Sequence, residues 1–364
     1  MAEPLAFQRV RVQAFRNIEA LELEPSPRLN VIAGDNGQGK TSLLEALYFV
    51  ATSKSFRTER ARELVRVGSE RSLVAVQIFD EGLTREQRAV VAPGTVSFSV
   101  DGKRASGRGV YATRTPVVVF HPGDLALASG PASIRRTLLD RIALYREPAS
   151  ADHRQRYLRA LRSRQKALEE RGPSAGELHA FEELMASEGA RLCSARRTAS
   201  VELLSALVPA FRAVAPAELE LSTRYVPGGT EDESEFRREL VARRPADVRR
   251  RAATFGPQRD EVELLLDLRP ARNHASQGQQ RILALALKIA ELACVRAARG
   301  AHPVLLLDDV SSELDPGRTG AVYDLLRSEP SQVFVTTTRP ELFVTSESAP
   351  RLDFVMRKGR LEGA

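Results

Sequence analysis

The chain has no tryptophan, only two cysteines and three methionines in 364 residues, and 5% of it is aromatic. Cys193 and Cys294 lie far apart, with no Cys-x2-Cys pair and no histidine cluster beside either, which excludes a disulfide framework and a zinc site of ordinary spacing. No segment reaches 18 uncharged apolar residues, so no membrane helix is expected. The N-terminus reads Ala2-Glu3-Pro4 followed by alternating residues, not a basic segment and an apolar run, so no secretory signal is expected and the compartment should be cytoplasmic. Internal repeats and low-complexity tracts are also missing.

What the chain does have is charge. Lys and Arg total 54 against 47 Asp and Glu, a formal +7, and most of the cations are arginine. The planar guanidinium fork meets phosphate oxygens in pairs, so phosphate and nucleic-acid contacts suit this surface. With 43% apolar residues the chain can bury a large core, as two domains or one domain carrying an insertion.

Gly34-Asp35-Asn36-Gly37-Gln38-Gly39-Lys40-Thr41 matches Gly-x4-Gly-Lys-Ser/Thr, the phosphate-binding P-loop. Before it, Arg28 to Ala33 reads as a buried strand; after it, Leu43, Ala46, Leu47 and Val50 recur at helical spacing. Strand, glycine loop and helix thus come in the order that aims backbone N–H groups and a helix N-terminus at phosphate oxygens. Lys40 is expected to reach the β- and γ-phosphates of a nucleoside triphosphate, and the Thr41 hydroxyl to ligate Mg²⁺.

Short strands are expected over Phe7 to Phe15, Ala20 to Leu23 and around Val74 to Ile78, with a hairpin turning at Asp101-Gly102 and a buried strand over Pro116 to Phe120. From about Pro131 to Ala213 the pattern is helical, punctuated by Pro148, Pro173 and Pro209, without the sustained heptads of a long coiled coil. A strand over Leu219 to Tyr225, an exposed Gly228-Gly229 loop and a helix over Phe236 to Arg251 follow. From Thr254 onward α/β alternation resumes.

Val304 to Leu307 is an apolar run ending in Asp308 and Asp309, the form of a buried parallel strand that delivers acids to the ligand edge of a sheet. Asp308 is placed to hold Mg²⁺ and Asp309 to orient or deprotonate an attacking water. Ser276-Gln277-Gly278-Gln279-Gln280-Arg281 precedes a strongly apolar helix and reads either as a second anion site or as a capping box joining Ser276 and Gln279.

The P-loop, the Ser276-Gln277-Gly278 string, Asp308-Asp309 and Ser311-Ser312-Glu313-Leu314-Asp315 together resemble the ATPase head of the ABC class. Phe15-Arg16-Asn17, Ser53 to Thr58, Gly130-Pro131, Arg135-Arg136, Leu139-Asp140 and Gly256-Pro257-x-Arg259-Asp260 narrow the resemblance to the RecF family, related to SMC heads.

The resemblance implies an α/β ABC-type P-loop head with an inserted helical arm: head over 1–125 and 254–364, arm over 126–253. It implies an ATP-dependent homodimer that binds gapped DNA or single/double-strand junctions without sequence preference. With the RecO and RecR proteins, such a dimer helps load RecA, and hydrolysis is slow. By position, Gly34 to Thr41 bind ATP, Thr41 and Asp308 handle Mg²⁺, Lys40 and Asp309 support hydrolysis, and Ser276, Gln277 and Gly278 act on the partner copy's nucleotide. Arg16 and Arg57 are further candidates beside the nucleotide.

Many relatives carry histidine after the last core strand; Thr336-Thr337-Thr338 stands here, so a hydroxyl should contact or position the γ-phosphate. Phe120-His121-Pro122 sits in the region of the usual glutamine lid, where His121 reads either as a simple loop histidine or as a ligand contact. A transporter ATPase subunit and a small-molecule kinase share the P-loop. The long helical insertion and basic surface argue against the first, and Ser276-Gln277-Gly278 against the second.

Overall fold

The computed structural model describes residues 5–309, 331–340 and 350–363. The Leu-Asp stretch Ser311 to Asp315 lies outside the described residues. The chain divides into two compact units, Met1–Asp124 with Val295–Ala364, and Leu125–Cys294.

The first unit runs through β1 (Ala6–Phe15), β2 (Ile18–Leu23), β3 (Leu29–Ala33), α1 (Lys40–Thr52), β4 (Ser72–Asp80), β5 (Leu83–Ala92), β6 (Thr95–Val100), β7 (Lys103–Arg104), α2 (Arg108–Ala112) and β8 (Val117–Phe120). After the second unit it resumes with β12 (Val304–Asp308), β13 (Val333–Thr337), β14 (Arg351–Arg357) and β15 (Arg360–Gly363). One sheet is an antiparallel array in the order β2-β1-β4-β5-β6-β7. Its strands alternate as a one-sided sheet should: Val10 and Val12 are buried while Arg9 and Arg11 are exposed.

The other sheet has the order β15-β14-β3-β13-β12-β8, with every pairing parallel except β14 with β15. Strands covered on both faces need continuous apolar side chains, and β8 and β12 supply them. α1 is apolar almost all round because it is buried almost all round. Its Leu43, Leu47 and Phe49 share one core with Val10 and Val74 of the antiparallel sheet and Leu306 and Phe334 of the parallel one. Gln332, fully buried, accepts from the Phe7 N–H at 2.7 Å and donates to the carbonyls of Phe7 (2.9 Å) and Ser26 (2.8 Å), so the polar group carried into this core is paired.

The second unit contains α3 (Ala126–Ser129), α4 (Ala132–Arg146), α5 (Ser150–Arg171), α6 (Leu178–Val214), β9 (Leu221–Val226), α7 (Glu233–Ala242), α8 (Arg244–Arg250), β10 (Glu261–Leu266), β11 (Arg269–Pro270), α9 (Ala271–His274) and α10 (Gln277–Arg299), whose last residues cross the unit boundary. β10 pairs with β9, and Leu283 and Leu287 of α10 share a core with Leu139 and Leu203. With these contacts the second unit runs to Cys294, while the resemblance implied an arm over 126–253.

Two local expectations are corrected. Pro209 does not end its helix: α6, 37 residues long and about 55 Å at 1.5 Å per residue, runs through it to Val214. The lost N–H is offset by buried Leu203, Leu207, Ala210 and Phe211 around it. Gly228-Gly229 is not a free loop, since the Gly228 N–H donates to Asp260 and its carbonyl accepts from the Gly256 N–H, both at 2.8 Å.

A buried charge network holds the second unit. Arg196, 4% exposed, donates from Nε and Nη2 to Asp140 at 2.8 and 3.1 Å, and from Nη1 to Asp260 at 2.8 Å and to the Pro257 carbonyl at 2.6 Å. Burial opposes the charge on this guanidinium, yet the Asp140 and Asp260 carboxylates raise its pKa above the ordinary arginine value.

Candidate nucleotide site

In the parallel sheet, Ile32, Thr336 and Asp308 are in register across β3, β13 and β12, and Leu307 is paired with Phe120 of β8. The residues that follow these positions therefore emerge along one carboxyl edge: the P-loop after β3, Asp309 after β12 and His121 after β8. Ligands of open α/β sheets bind at such an edge.

The P-loop's glycines are required by geometry. Gly34 has φ 149°, and a Cβ there would stand 2.5 Å from the Met356 carbonyl oxygen of β14. Gly39, at φ 115°, caps α1 in the left-handed region, with the Asn17 side chain 3.2 Å from where its Cβ would lie. The loop is clamped from outside. The Gln38 side-chain oxygen accepts from the Lys358 N–H at 2.6 Å, its carbonyl from the Gly359 N–H at 2.8 Å, and Asn17 Nδ2 donates to the Gly37 carbonyl at 3.2 Å.

Lys40 is buried and donates from Nζ to the carbonyls of Gly34 and of Asp35, the latter at 2.9 Å. Burial lowers its pKa, while the carboxylates of Asp309, Asp308 and Asp35 hold it up. The Thr41 hydroxyl donates to Asp308 Oδ1 at 2.8 Å, and the Thr336 hydroxyl donates to the same oxygen at 2.8 Å. Burial raises the Asp308 pKa; the two hydroxyl donors and the nearby His121 pull it back, and Asp309 adds to the rise. Asp309 sits just past the strand at φ 48°, its N–H directed to the Thr336 hydroxyl at 3.1 Å.

These groups open onto a cavity of about 740 Å³ whose lining includes Asp35 to Gly37, Gly39 to Thr41, Arg16, Arg57, Asp308 and Asp309. That volume falls within the roughly 300–1,000 Å³ of small-molecule sites. Two chain segments 267 residues apart thus contribute a basic, N–H-rich wall and an acidic one to the same space. Thr41 Oγ1 with Asp308 Oδ1 is a hard-oxygen donor pair of the kind Mg²⁺ takes. Among the described residues no cluster of three or more His, Cys, Asp or Glu is arranged to hold a metal without help from a ligand.

Arg16 and Arg57 do meet at the cavity, through a residue that the sequence patterns did not single out. Glu45 of α1 is fully buried and accepts from Arg16 Nε (2.9 Å) and Nη2 (2.8 Å), Arg57 Nη1 (3.2 Å) and Ser55 Oγ (2.6 Å). A signal existed, since Glu45 is the one charged residue on α1 beyond Lys40 and it interrupts an apolar face. Of the three threonines at 336–338, Thr336 is buried and its hydroxyl orients Asp308, the Thr337 hydroxyl accepts from the Arg339 N–H at 2.9 Å, and Thr338 is exposed. The His121 ring lies 4.9 Å from that of Phe56, and its Nδ1 accepts from the Gly123 N–H at 3.1 Å.

Ser276 and Gln279 form the reciprocal capping box of α10, the Ser276 N–H donating to Gln279 Oε1 at 2.8 Å and the Gln279 N–H to Ser276 Oγ at 3.2 Å. Ser276 and Gln277 are exposed. Capping alone therefore accounts for Ser276 within one chain, and any further role uses a surface that faces outward.

A P-loop at the carboxyl edge of a parallel sheet, an acid-tipped strand two places away across β13, and a largely helical unit inserted between them define an ABC-type P-loop ATPase head with an inserted arm. Residues 6–359 match the RecF/RecN/SMC N terminal domain. The DNA replication and repair protein RecF of Anaeromyxobacter sp. (strain Fw109-5) is 44% identical over 336 residues, which cover 90% of this chain and 90% of that protein. The corresponding protein of Myxococcus xanthus is 41% identical over 340 residues, again 90% of each. A solved structure of the recombination mediator protein RecF with ATP, in the RecFOR pathway, superposes with a TM-score of 0.87 at 26% identity over 100% of this chain and 99% of that one. The Smc head domain from Pyrococcus furiosus, bound to the C-terminal domain of ScpA, shares the fold at a TM-score of 0.55 and 17% identity, covering 99% and 96%. The chain belongs to the RecF family of DNA replication and repair proteins.

Proposed function

We propose that the chain is an ATP-driven switch of recombinational repair: it binds ATP with Mg²⁺, dimerises around the nucleotide, engages gapped or junction DNA through phosphate contacts, and resets by slow hydrolysis. The observation that supports this reading is the 2.8 Å bond between Thr41 of the P-loop and Asp308 of the acid-tipped strand, which brings the two segments to one cavity, as phosphoryl transfer requires.

In this reading the N–H groups of Gly34 to Thr41 cradle the phosphates, and Lys40 exchanges its bonds to Gly34 and Asp35 for phosphate oxygens. Thr41 and Asp308 would hold Mg²⁺, which when bound would neutralise charge on the phosphate oxygens. Asp309, one residue beyond Asp308 and on the lining of the same cavity, would orient and deprotonate water. Ser276, Gln277 and Gly278 present the exposed start of α10 to the nucleotide of a second copy. ATP then joins two copies and hydrolysis releases them. RecO- and RecR-like proteins are the expected partners in loading recombinase.

Ser276→Arg places a bulky cation at that exposed helix start. It is expected to abolish ATP-induced dimerisation in analytical ultracentrifugation while single-copy ATP affinity stays within about threefold, because its own P-loop is untouched. Dimers that form normally would remove Ser276 from the composite site.

DNA contacts should come from Arg and Lys on phosphates, since a chain without tryptophan offers little for base stacking. Raising salt from 50 to 200 mM is expected to weaken DNA binding by about 10³-fold if some six phosphates are contacted. With ATP, gapped DNA should bind more tightly than duplex or single strand. Equal, ATP-independent affinity for all three would end the junction reading.

A further inference from the structure

Arg16 and Arg57 both reach Glu45, but not equally. Arg16 is clamped by two bonds at 2.9 and 2.8 Å with its side chain 19% exposed. Arg57 makes one bond at 3.2 Å with its side chain 44% exposed. A bidentate, largely buried pair is hard to separate, whereas a single solvent-exposed contact contributes little. The backbone under Arg57 is nonetheless fixed: the N–H groups of Arg57 and Thr58 donate to Ser55 Oγ at 2.9 and 3.0 Å, and that hydroxyl itself donates to Glu45. Only the Arg57 side chain is left to move, and it lines the same cavity as Lys40 and Asp309.

Charge gives that movement a direction. One buried carboxylate facing two guanidinium groups leaves this cluster with a net positive charge, at the rim of a cavity whose P-loop is built for phosphate. We propose that Glu45 is a positioning residue that stores Arg57 while no nucleotide is bound, and that Arg57 transfers from Glu45 to a phosphate oxygen when ATP enters, leaving Arg16 to satisfy Glu45. The proposal rests on the ATP reading of the P-loop. Glu45 then competes with the nucleotide for Arg57, so the carboxylate weakens ATP binding in exchange for an ordered empty site.

That competition fixes the sign of an experiment. In calorimetric titrations of the whole chain with ATP and Mg²⁺, Glu45→Gln is expected to tighten binding about fivefold. Arg57→Ala is expected to weaken it about tenfold. Adding Glu45→Gln to Arg57→Ala should give no tightening, because the group being competed for is gone. A merely structural Glu45 gives the opposite sign, and either weaker binding in Glu45→Gln or tightening that survives without Arg57 overturns the proposal. Should Glu45→Gln fail to fold, the asymmetry of the two arginines still decides. Arg57→Ala should keep the nucleotide-free unfolding temperature within about 2 °C while losing ATP affinity, and Arg16→Ala should lower that temperature. The reverse pattern overturns it. ATP binding that Lys40→Ala leaves unchanged in the otherwise wild-type chain would sink the ATP reading itself, and this proposal with it.

Discussion

Asp309→Asn is expected to lower ATP turnover by about 10²- to 10⁴-fold, the usual contribution of a positioned general base, while ATP affinity changes less than about threefold. The substitution is well matched to its site. Asp309 has φ 48°, a left-handed conformation that asparagine tolerates as readily as aspartate, so backbone strain does not enter the comparison. Its N–H bond to the Thr336 hydroxyl is also kept, because only the side-chain carboxylate is altered. Single-turnover kinetics with a separate binding measurement distinguish the two effects. In the proposed switch, where association needs nucleotide and release needs hydrolysis, the variant should accumulate as the ATP-bound dimer. A turnover loss under tenfold would move the base role to another group, and an equal loss of affinity would mean that Asp309 acts in binding.

The second large effect concerns stability. Arg196→Ala should destabilise the chain by about 3–5 kcal/mol, because it leaves Asp140 and Asp260 buried with their shared counter-charge removed. At this chain length that corresponds to a fall of roughly 10 °C in the thermal transition. Asp260 is fully buried and Asp140 nearly so, and the Arg154 and Arg136 contacts to them, one to Asp140 and one to the Asp260 carbonyl, leave the Asp260 carboxylate without its arginine. ATP affinity should be unaffected below the transition, since the P-loop belongs to the first unit. A loss under 1 kcal/mol would show that water or side-chain rearrangement replaces Arg196.

The P-loop, the acid-tipped strand and the alternating strands were legible because each is local: a glycine spacing, an apolar run ending in charge, a period of two. Arg16 and Arg57 were legible only as members of a resemblance. Their shared partner was hidden, because a buried glutamate 29 residues from Arg16 and 12 from Arg57 carries no periodicity of its own. Leu139-Asp140 and Gly256-Pro257-x-Arg259-Asp260 stood out as motifs, yet their meaning lies in Arg196, on a third segment, which joins them. The pairing of β10 with β9 was not legible, because an alternating strand pattern does not say which strand lies beside it. Pro209 was misread because local propensity is a weak prior against the packing of a 37-residue helix.

The clamp of Lys358 and Gly359 on Gln38 has a consequence for the order in which the molecule can be made. The P-loop is complete as a string of residues by Thr41, but its outer wall arrives 320 positions later, after an entire second unit has been synthesised. Contacts so distant along the chain form late, because the intervening segment must close on itself first. A nascent chain therefore carries the nucleotide loop for most of its synthesis without the hairpin that braces it. ATP-binding competence should be among the last properties the folding protein acquires.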